Sequence, residues 1–189
     1  MNTWIFQGNP RVFNIDSYVS QNNKIWWSLR QHHFEDQIQI DDEVFLWRSD
    51  GSKKGSGGIL AKARVIGLPQ ERTDEDAREY WYTQDWNNPA LGVKLEIEEV
   101  RLEGGFLKRT ELMKNPILED MLIFRLRQQT NYLLEESHAD ELRRLWNSQG
   151  NNRSFSWLRL FQDVAVKELD KSAFLHNGTG VPVDMRDFF

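Results

Sequence analysis

Two segments in the middle of the chain alternate between apolar and charged residues, and this alternation constrains the fold more than any other feature. In "ILAKARVIG" (residues 59–67), apolar residues occupy every second position from Ile59 to Val65, and Lys62 and Arg64 lie between them. "LGVKLEIEEVRL" (residues 91–102) repeats the pattern, with Val, Leu and Ile alternating with Lys and Glu. A period of two is typical of a half-buried β-strand, so these segments predict a sheet with one face on a core.

Further elements are arranged around these two strands. "TWIFQG" (3–8) and "DDEVFLWRS" (41–49) predict strands, and the Gly/Ser-rich loop "DGSKKGSGG" (50–58) makes the second one a hairpin with the segment 59–67. Short helices are predicted in residues 12–21 and from Thr73, a last strand near 131–134 and a closing helix from Ser137. We therefore expect an α+β fold, a small and mostly antiparallel β-barrel with peripheral helices.

Composition restricts the function. The 189 residues include no cysteine, which excludes disulfides, Cys-ligated zinc and thiol catalysis. The net charge of -5 argues against non-specific coating of nucleic acid but leaves room for a local basic groove. The N-terminus has no signal-peptide pattern and no apolar run approaches the ~20 residues of a membrane span, so we expect a cytoplasmic protein without a membrane partner.

The character of the sequence changes near Gly150. "QGNNRS" is typical of a linker, and "SFSWLRLFQDVAVKELDK" predicts a helix with Trp157, Phe161 and Val164 on one face. We expect one domain in residues 1–149, followed by a linker, an amphipathic helix and a tail in residues 150–189. Three roles for this appendage stay open: packing on the domain, pairing with another chain, or connecting to a longer protein.

No pattern indicates catalysis. The four histidines lack metal-ligand spacing, the acidic residues form no nuclease signature, and the Gly-rich loop lies between strands rather than before a helix. We expect neither an enzyme nor a cofactor.

Tryptophan is the unusual residue, with eight in the chain. "YWYTQDWNN" (80–88) and "KIWWSLRQHH" (24–33) set indoles among polar residues, whereas Trp4 and Trp47 lie on apolar strands and are expected in the core. Rings flanked by hydrogen-bonding groups suit a cage that stacks a flat heteroaromatic group. The alternative is that Trp26, Trp81 and Trp86 also fill the core.

Basic residues cluster around the long hairpin. From Arg48 to Arg64 the chain carries five basic side chains against the single acidic Asp50, and Lys53 and Lys54 lie on the loop itself. Lysines on a flexible loop can follow a phosphate backbone. An ordinary solvated hairpin explains the pattern as well.

In this order and spacing, "TWIFQGNPRVFNIDSY", "IWWSLRQ", "IQIDDEVFLWRS", "GSGGILAKARVIG", "GVKLEIEEV" and "RQQTNYLLEESHADELRRLW" resemble the EVE domain. The resemblance covers about residues 3–146 and departs from the family at Asp42, where a glycine is usual. EVE domains belong to the PUA-like superfamily and are related to YTH domains, which read N6-methyladenine in RNA with tryptophans. "NKIWWS" and "YWYTQDW" are similar to the YTH segments that hold those tryptophans.

The resemblance implies a reader of a modified base, with 5-methylcytosine or 5-hydroxymethylcytosine flipped out of DNA as the leading interpretation. Recognition of RNA or of N6-methyladenine is the alternative. Related domains act in modification-dependent restriction systems, which implies a fused or associated nuclease or AAA+ motor as partner. Base-binding residues are expected at Trp26, Ser28, Trp81, Tyr82, Asp85, Trp86 and Asn87, and phosphate-binding residues at Arg30, Lys53, Lys54 and Lys62.

Two other classes stay open. The chain could be part of a nuclease whose catalytic domain lies outside these residues, or an interaction module whose aromatic residues are all core.

Overall fold

The alternating segments form the centre of one mixed β-sheet. The computed structural model describes residues 1–126 and 128–149. Within these residues the strands are β1 (Thr3–Gly8), β2 (Lys24–Ser28), β3 (Glu43–Arg48), β4 (Gly58–Arg72), β5 (Ala90–Val100), β6 (Leu107–Lys108) and β7 (Asn131–Leu133). The helices are α1 (Ile15–Gln21), α2 (Arg109–Leu112), α3 (Leu122–Arg125) and α4 (136–149).

The strand order is β2-β5-β4-β3-β1-β7, with the short β6 beside the start of β4. The β1–β3 pair is parallel and the other pairs are antiparallel. These findings confirm the predicted α+β, mostly antiparallel fold. In the described part of the chain the sheet is not closed into a barrel by backbone pairing, since β2 and β7 remain at its two ends.

A buried side chain bridges the gap between those two end strands. Asn131 on β7 is fully buried; its Nδ2 donates to the Ser28 carbonyl over 3.1 Å, and its Oδ1 accepts from the Arg30 amide over 3.1 Å. The Gln31 carboxamide oxygen also accepts from the Asn131 amide over 2.9 Å. The end of β2 is therefore fixed to β7 by side chains.

Both faces of the central strands are buried. Along β1, Trp4 and Phe6 point into one hydrophobic core with α1, while Ile5 points into a second core with α2, α3 and α4. Trp4 and Trp47 are 0% and 2% exposed, as the sequence predicted. Strands covered on both faces hold their ends rigidly, which suits them to position a site.

Helix α4 is attached to the sheet by polar contacts as well as by packing. Arg143 donates to the Glu43 carboxylate over 2.8 Å and to the Thr3 hydroxyl over 2.7 Å. Lys62 adds an ion pair to Glu43 over 2.9 Å. Burial would raise the pKa of Glu43, but the hydrogen bonds from Lys62 and Arg143 outweigh it and lower that pKa.

Some local details add to the sequence-based expectations or differ from them. Residues 24–28 form strand β2, in which the buried Ile25 and Trp27 alternate with less buried residues. The helix predicted from Thr73 is a 3₁₀ turn, Glu75–Tyr80, with no side-chain cap. The positive φ in this turn, 70°, lies at Asp41, one residue before the position where the family usually has a glycine. Asp42 is buried and accepts hydrogen bonds from the Trp4 indole and the Asn2 amide.

Among the described residues, no helix has the length and apolar character needed to cross a bilayer. The linker, helix and tail predicted for residues 150–189 lie outside the described residues.

Candidate functional site

Two adjoining cavities form one cleft at the end of the sheet where β1 and β2 terminate. Their volumes are about 290 and 240 Å³. Ser28, Arg30, Asp74, Trp81 and Asp85 line both of them. The larger cavity is completed by Gln7, Gly8, Asn9, Val12, Phe13, Tyr18, Trp26, Trp27 and Thr130, and the smaller one by Arg72, Asn88, Ala90, Leu91 and Gly92.

The aromatic segment reaches this cleft because it pairs with the turn between β1 and α1. The Asn14 amide donates to the Tyr80 carbonyl over 2.7 Å, and the Tyr82 amide donates to the Val12 carbonyl over 2.9 Å. These bonds flank an isolated bridge between Phe13 and Trp81. A polar loop therefore carries an indole into a defined position.

Trp81 is the aromatic residue that lines both cavities, and we call its ring the principal aromatic wall. Its ring meets Phe13 edge-on, with centroids 5.1 Å apart and planes at 70°. Phe13 in turn meets Tyr18 edge-on at 5.0 Å. The indole Nε1–H of Trp81 is shielded from solvent and has no hydrogen-bond partner among the described residues. An unpaired buried donor costs about 1–3 kcal/mol, so this ring is held at some expense in stability.

The two adjacent tryptophans of β2 have different environments. Trp27 is 7% exposed and belongs to the core, and its ring lies so close to Gly8 that a Cβ there would come within 3.0 Å. Trp26 is only half-buried; the Arg72 guanidinium lies 4.7 Å and the Lys94 ammonium 5.5 Å from its ring centroid. Both line the larger cavity, and Trp26 has two cations beside its ring.

The Tyr18 hydroxyl fixes the backbone at that point. It accepts from the Trp26 amide over 3.0 Å and donates to the Trp26 carbonyl over 3.3 Å. Burial raises the pKa of Tyr18, so the phenol stays protonated and this exchange of hydrogen bonds is kept.

Asp74 is the most perturbed acid of the cleft. Its carboxylate oxygen Oδ1 is paired with Arg72, which also binds Asp76. Burial raises the pKa of Asp74, the Arg72 charge opposes that rise, and the Asp76 charge adds to it. The net shift is upward, so the environment disfavours the charged form of a carboxyl group that lines both cavities.

Five of the residues expected in the site are brought together here, namely Trp26, Ser28, Trp81, Asp85 and Arg30. Three others are on the same segment but do not line the cavities. Tyr82 is 63% exposed, and the Arg78 guanidinium lies 4.7 Å above the Trp86 ring. Asn87 is exposed in a 3₁₀ turn.

The expected phosphate contacts separate into two groups. Arg30 is exposed and makes no ion pair with any described residue. Lys53 and Lys54 are exposed on the β3–β4 loop, which lies against the cleft's own β1–α1 turn because Gly51, with φ of 57°, packs on Pro10. Lys62, in contrast, pairs with Glu43 and Glu98 away from the cleft.

Sequence reasoning missed Asp74, Trp27, Phe13 and the neutral groups of Gln7, Asn9 and Thr130. The alternation across β2 could have indicated that Trp27 faces inward. Nothing local distinguishes Asp74 from Asp76, since only the three-dimensional placement directs one of them into the cleft.

The model of the family described as EVE domain matches residues 2–145. No curated protein sequence matches the chain. The fold is similar to that of a hypothetical protein from Leishmania major, with a TM-score of 0.58, 20% identity, and coverage of 79% of this chain and 97% of that one.

It is also similar to human THYN1, solved in complex with 5-methylcytosine containing DNA, with a TM-score of 0.54, 15% identity, and coverage of 77% and 98%. For protein PSPTO5229 from Pseudomonas syringae, the TM-score is 0.56 and the identity 14%, with coverage of 76% of this chain and 99% of that one. At such identities these structures establish a shared fold.

Proposed function

This chain belongs to the EVE domain family, and we propose that it is a nucleic-acid-binding reader that takes a modified base into the cleft. The observation that carries the proposal is the larger cavity, where indole and phenyl rings stand beside carboxylate, hydroxyl and amide groups. Stacking on an aromatic ring is worth about 1–3 kcal/mol per base. Its volume of about 290 Å³ lies at the small end of ligand cavities, which suits one flat ring system rather than a stretch of chain.

The positions of the residues support the proposed roles. Trp81 stacks the base, and Trp26, Trp27, Ser28 and Asp85, which line the same cavity, contact its other face or its edge. Arg30, Lys53 and Lys54 contact phosphates. The exposed Tyr82, with Trp86 and Asn87 beside it, contacts the nucleic acid outside the cavity.

The preferred ligand is 5-methylcytosine or 5-hydroxymethylcytosine in DNA. Support comes from the similar fold of human THYN1, which was crystallised with 5-methylcytosine containing DNA. A base can enter an aromatic cavity of this size only after it leaves its stack, so we propose that the protein flips it. The fixed end of β2, held by Asn131, provides a rigid wall for that purpose.

We further propose that the reader works in the cytoplasm as the recognition part of a modification-dependent restriction system. A nuclease or AAA+ motor, fused or associated, would supply the activity in this arrangement. The family resemblance is the support for this part of the proposal.

A binding titration tests the central claim. Intrinsic tryptophan fluorescence would be followed at fixed salt while duplexes and single strands with cytosine, 5-methylcytosine, 5-hydroxymethylcytosine or N6-methyladenine at one position are added. We expect quenching at the lowest concentration with a 5-modified cytosine. Preference for N6-methyladenine or for RNA would replace the ligand in the proposal, and equal binding of all strands, or none, would reject base reading.

Two variants connect the signal to the cleft. Trp81→Ala should abolish the preference, because it removes the principal wall. Tyr82→Ala is the matched control, since it removes the neighbouring aromatic ring outside the cavities, and it should weaken all strands alike without changing which base is preferred.

A further inference from the structure

We propose that the Asp74 carboxylate selects bases that carry an exocyclic amino group, such as the 4-amino group of cytosines, over their oxo counterparts. The inference rests on the proposed function, because it assigns the chemistry of the base edge within the same cleft. Two of its neighbours, Trp81 and Ser28, line both cavities as Asp74 does. Asp74 thus lines the same cleft as the Trp81 ring, where its carboxyl group can meet the edge of a base stacked on that ring.

The carboxylate is held in place by its surroundings. The Asp74 amide donates to the Trp86 carbonyl over 2.8 Å, and the Asp74 carbonyl accepts from the Ala77 amide over 3.0 Å. Oδ1 is paired with Arg72, and no described residue donates a hydrogen bond to Oδ2. One oxygen is therefore occupied and the other is available to a ligand.

An ionised carboxylate only accepts hydrogen bonds. The amino group of cytosine or adenine donates to such an acceptor, and pairing of Asp or Glu with the cytosine amino group is an established mode of recognition. The carbonyl oxygen of uracil, thymine or hypoxanthine would instead face Oδ2 as a second acceptor. A buried acceptor left without a partner discriminates strongly, because its desolvation is not repaid.

The other acid of the cleft is less suited to this role. Asp85 is exposed, and its Oδ2 already accepts from the Thr83 hydroxyl over 3.0 Å. Asp74 is half-buried, and burial raises its pKa. A carboxyl group that is partly shielded from water gains most from a hydrogen-bond donor on the ligand.

Paired ligands test the inference. Dissociation constants would be measured by fluorescence anisotropy for single strands that differ at one base: cytosine against uracil, 5-methylcytosine against thymine, and adenine against hypoxanthine. Each pair exchanges an amino group for an oxo group, which also turns the adjacent ring nitrogen from an acceptor into an N–H donor, and keeps the 5-substituent; single strands remove the cost of opening a duplex. Wild-type protein should bind the amino member at least about tenfold more tightly in the preferred pair.

The variants are Asp74→Asn and, as matched control, Asp76→Asn. The control also removes a carboxylate from Arg72, but Asp76 does not line either cavity. Asp74→Asn should bring the two members of the preferred pair within about twofold, because an amide can donate as well as accept. Asp76→Asn should keep the tenfold preference, and Asp74→Glu, which keeps the acceptor, should keep its direction.

The outcomes separate the two proposals. A wild-type protein that binds no strand, or binds all alike, overturns the proposed function and this inference with it. A wild-type preference for the amino member that persists in Asp74→Asn leaves base reading intact and overturns the role of Asp74. A wild-type preference for the oxo member also leaves base reading intact and overturns the role of Asp74. This outcome needs only the wild-type protein, so it does not depend on whether the variants fold.

Discussion

At the scale of single residues, the tryptophans in the described part of the chain differ in what surrounds them. Trp47 is buried to 2% exposure in one of the two cores, whereas Trp81 is half-buried at the cleft with an unpaired indole N–H. A core indole contributes to stability through packing. A cleft indole leaves one face to a ligand.

Replacing each of these two tryptophans by alanine should therefore give opposite results. Trp47→Ala should lower the free energy of unfolding by about 3–5 kcal/mol, the usual cost of a large aromatic removed from a core. Trp81→Ala should cost less than half as much and should abolish binding. Urea denaturation and the oligonucleotide titration measure the two quantities; a large stability loss in Trp81→Ala would assign that ring to the core instead.

The raised pKa of Asp74 leads to a stability prediction with a definite sign. A carboxyl group whose pKa is higher in the folded than in the unfolded protein stabilises the fold below its unfolded pKa, and that stabilisation is lost as the pH rises through the folded value. Asp74→Asn resembles the protonated form at every pH. At pH 7 it should leave the melting temperature unchanged or raise it, and the difference from wild type should vanish below about pH 4.

Thermal melts of both proteins between pH 3 and 8 test this expectation. Asp76→Asn serves as the comparison, since its exposed pair with Arg72 is worth about 1 kcal/mol or less. A clear loss of stability in Asp74→Asn at pH 7 would mean that the Arg72 pair outweighs burial, and that Asp74 is a structural residue.

At the scale of elements, the alternation of charge and hydropathy predicts the strands well because it is a local property. Segment 59–67 lies within β4, and segment 91–102 covers β5 up to its end at Val100. Strand β2 was missed because two adjacent indoles hide which one points inward. The cleft could be predicted only in part: Trp81 is conspicuous in its polar loop, but Asp74 enters the site through long-range packing that no spacing in the chain encodes.

The junction between β2 and β7 is the element that fixes one wall of the cleft. Asn131→Ala would leave the Ser28 carbonyl and the Arg30 amide without their partner. We expect a loss of about 2–4 kcal/mol in the free energy of unfolding, since each unpaired buried group costs about 1–3 kcal/mol. Binding should weaken too, because Ser28 and Arg30 both line the cleft.

Urea denaturation and the titration again give the readout. Asn23→Ala, at an exposed asparagine just before β2, is the matched control and should change neither quantity. Unchanged stability in Asn131→Ala would show that β7 and β2 are joined by other contacts.

The β3–β4 loop should contribute to binding through charge alone. Lys53 and Lys54 are exposed, and each phosphate contact adds about 0.9 to the slope of log affinity against log salt concentration. The double variant Lys53→Ala/Lys54→Ala should therefore reduce that slope by about 2 without altering base preference. Lys62→Ala, whose ion pairs are with Glu43 and Glu98, should leave the slope unchanged and lower stability; an unchanged slope in the double variant would remove the loop from the interface.

At the scale of the whole molecule, two cores and one polar network hold the described residues together. One core faces α1 and the other faces the later helices, and their members all lie between Trp4 and Trp146. Trp146 donates to the Glu99 carboxylate over 2.7 Å, and its ring lies 3.9 Å from the Arg101 guanidinium. Helix α4 therefore completes the packed unit near the position where the sequence changes character.

This arrangement predicts that residues 1–149 fold and bind without the remainder of the chain. The described core uses no residue beyond 146, and the cleft uses none beyond Thr130. A protein ended after Gln149 should keep the melting temperature within a few degrees and the same base preference. Ending the chain after Glu136 is the matched control and should unfold it, because Arg143 and Trp146 are lost from the sheet. Melting curves and the titration on both truncated proteins decide the matter: lost binding in the 1–149 protein with an unchanged melting temperature would place part of the nucleic-acid interface in residues 150–189.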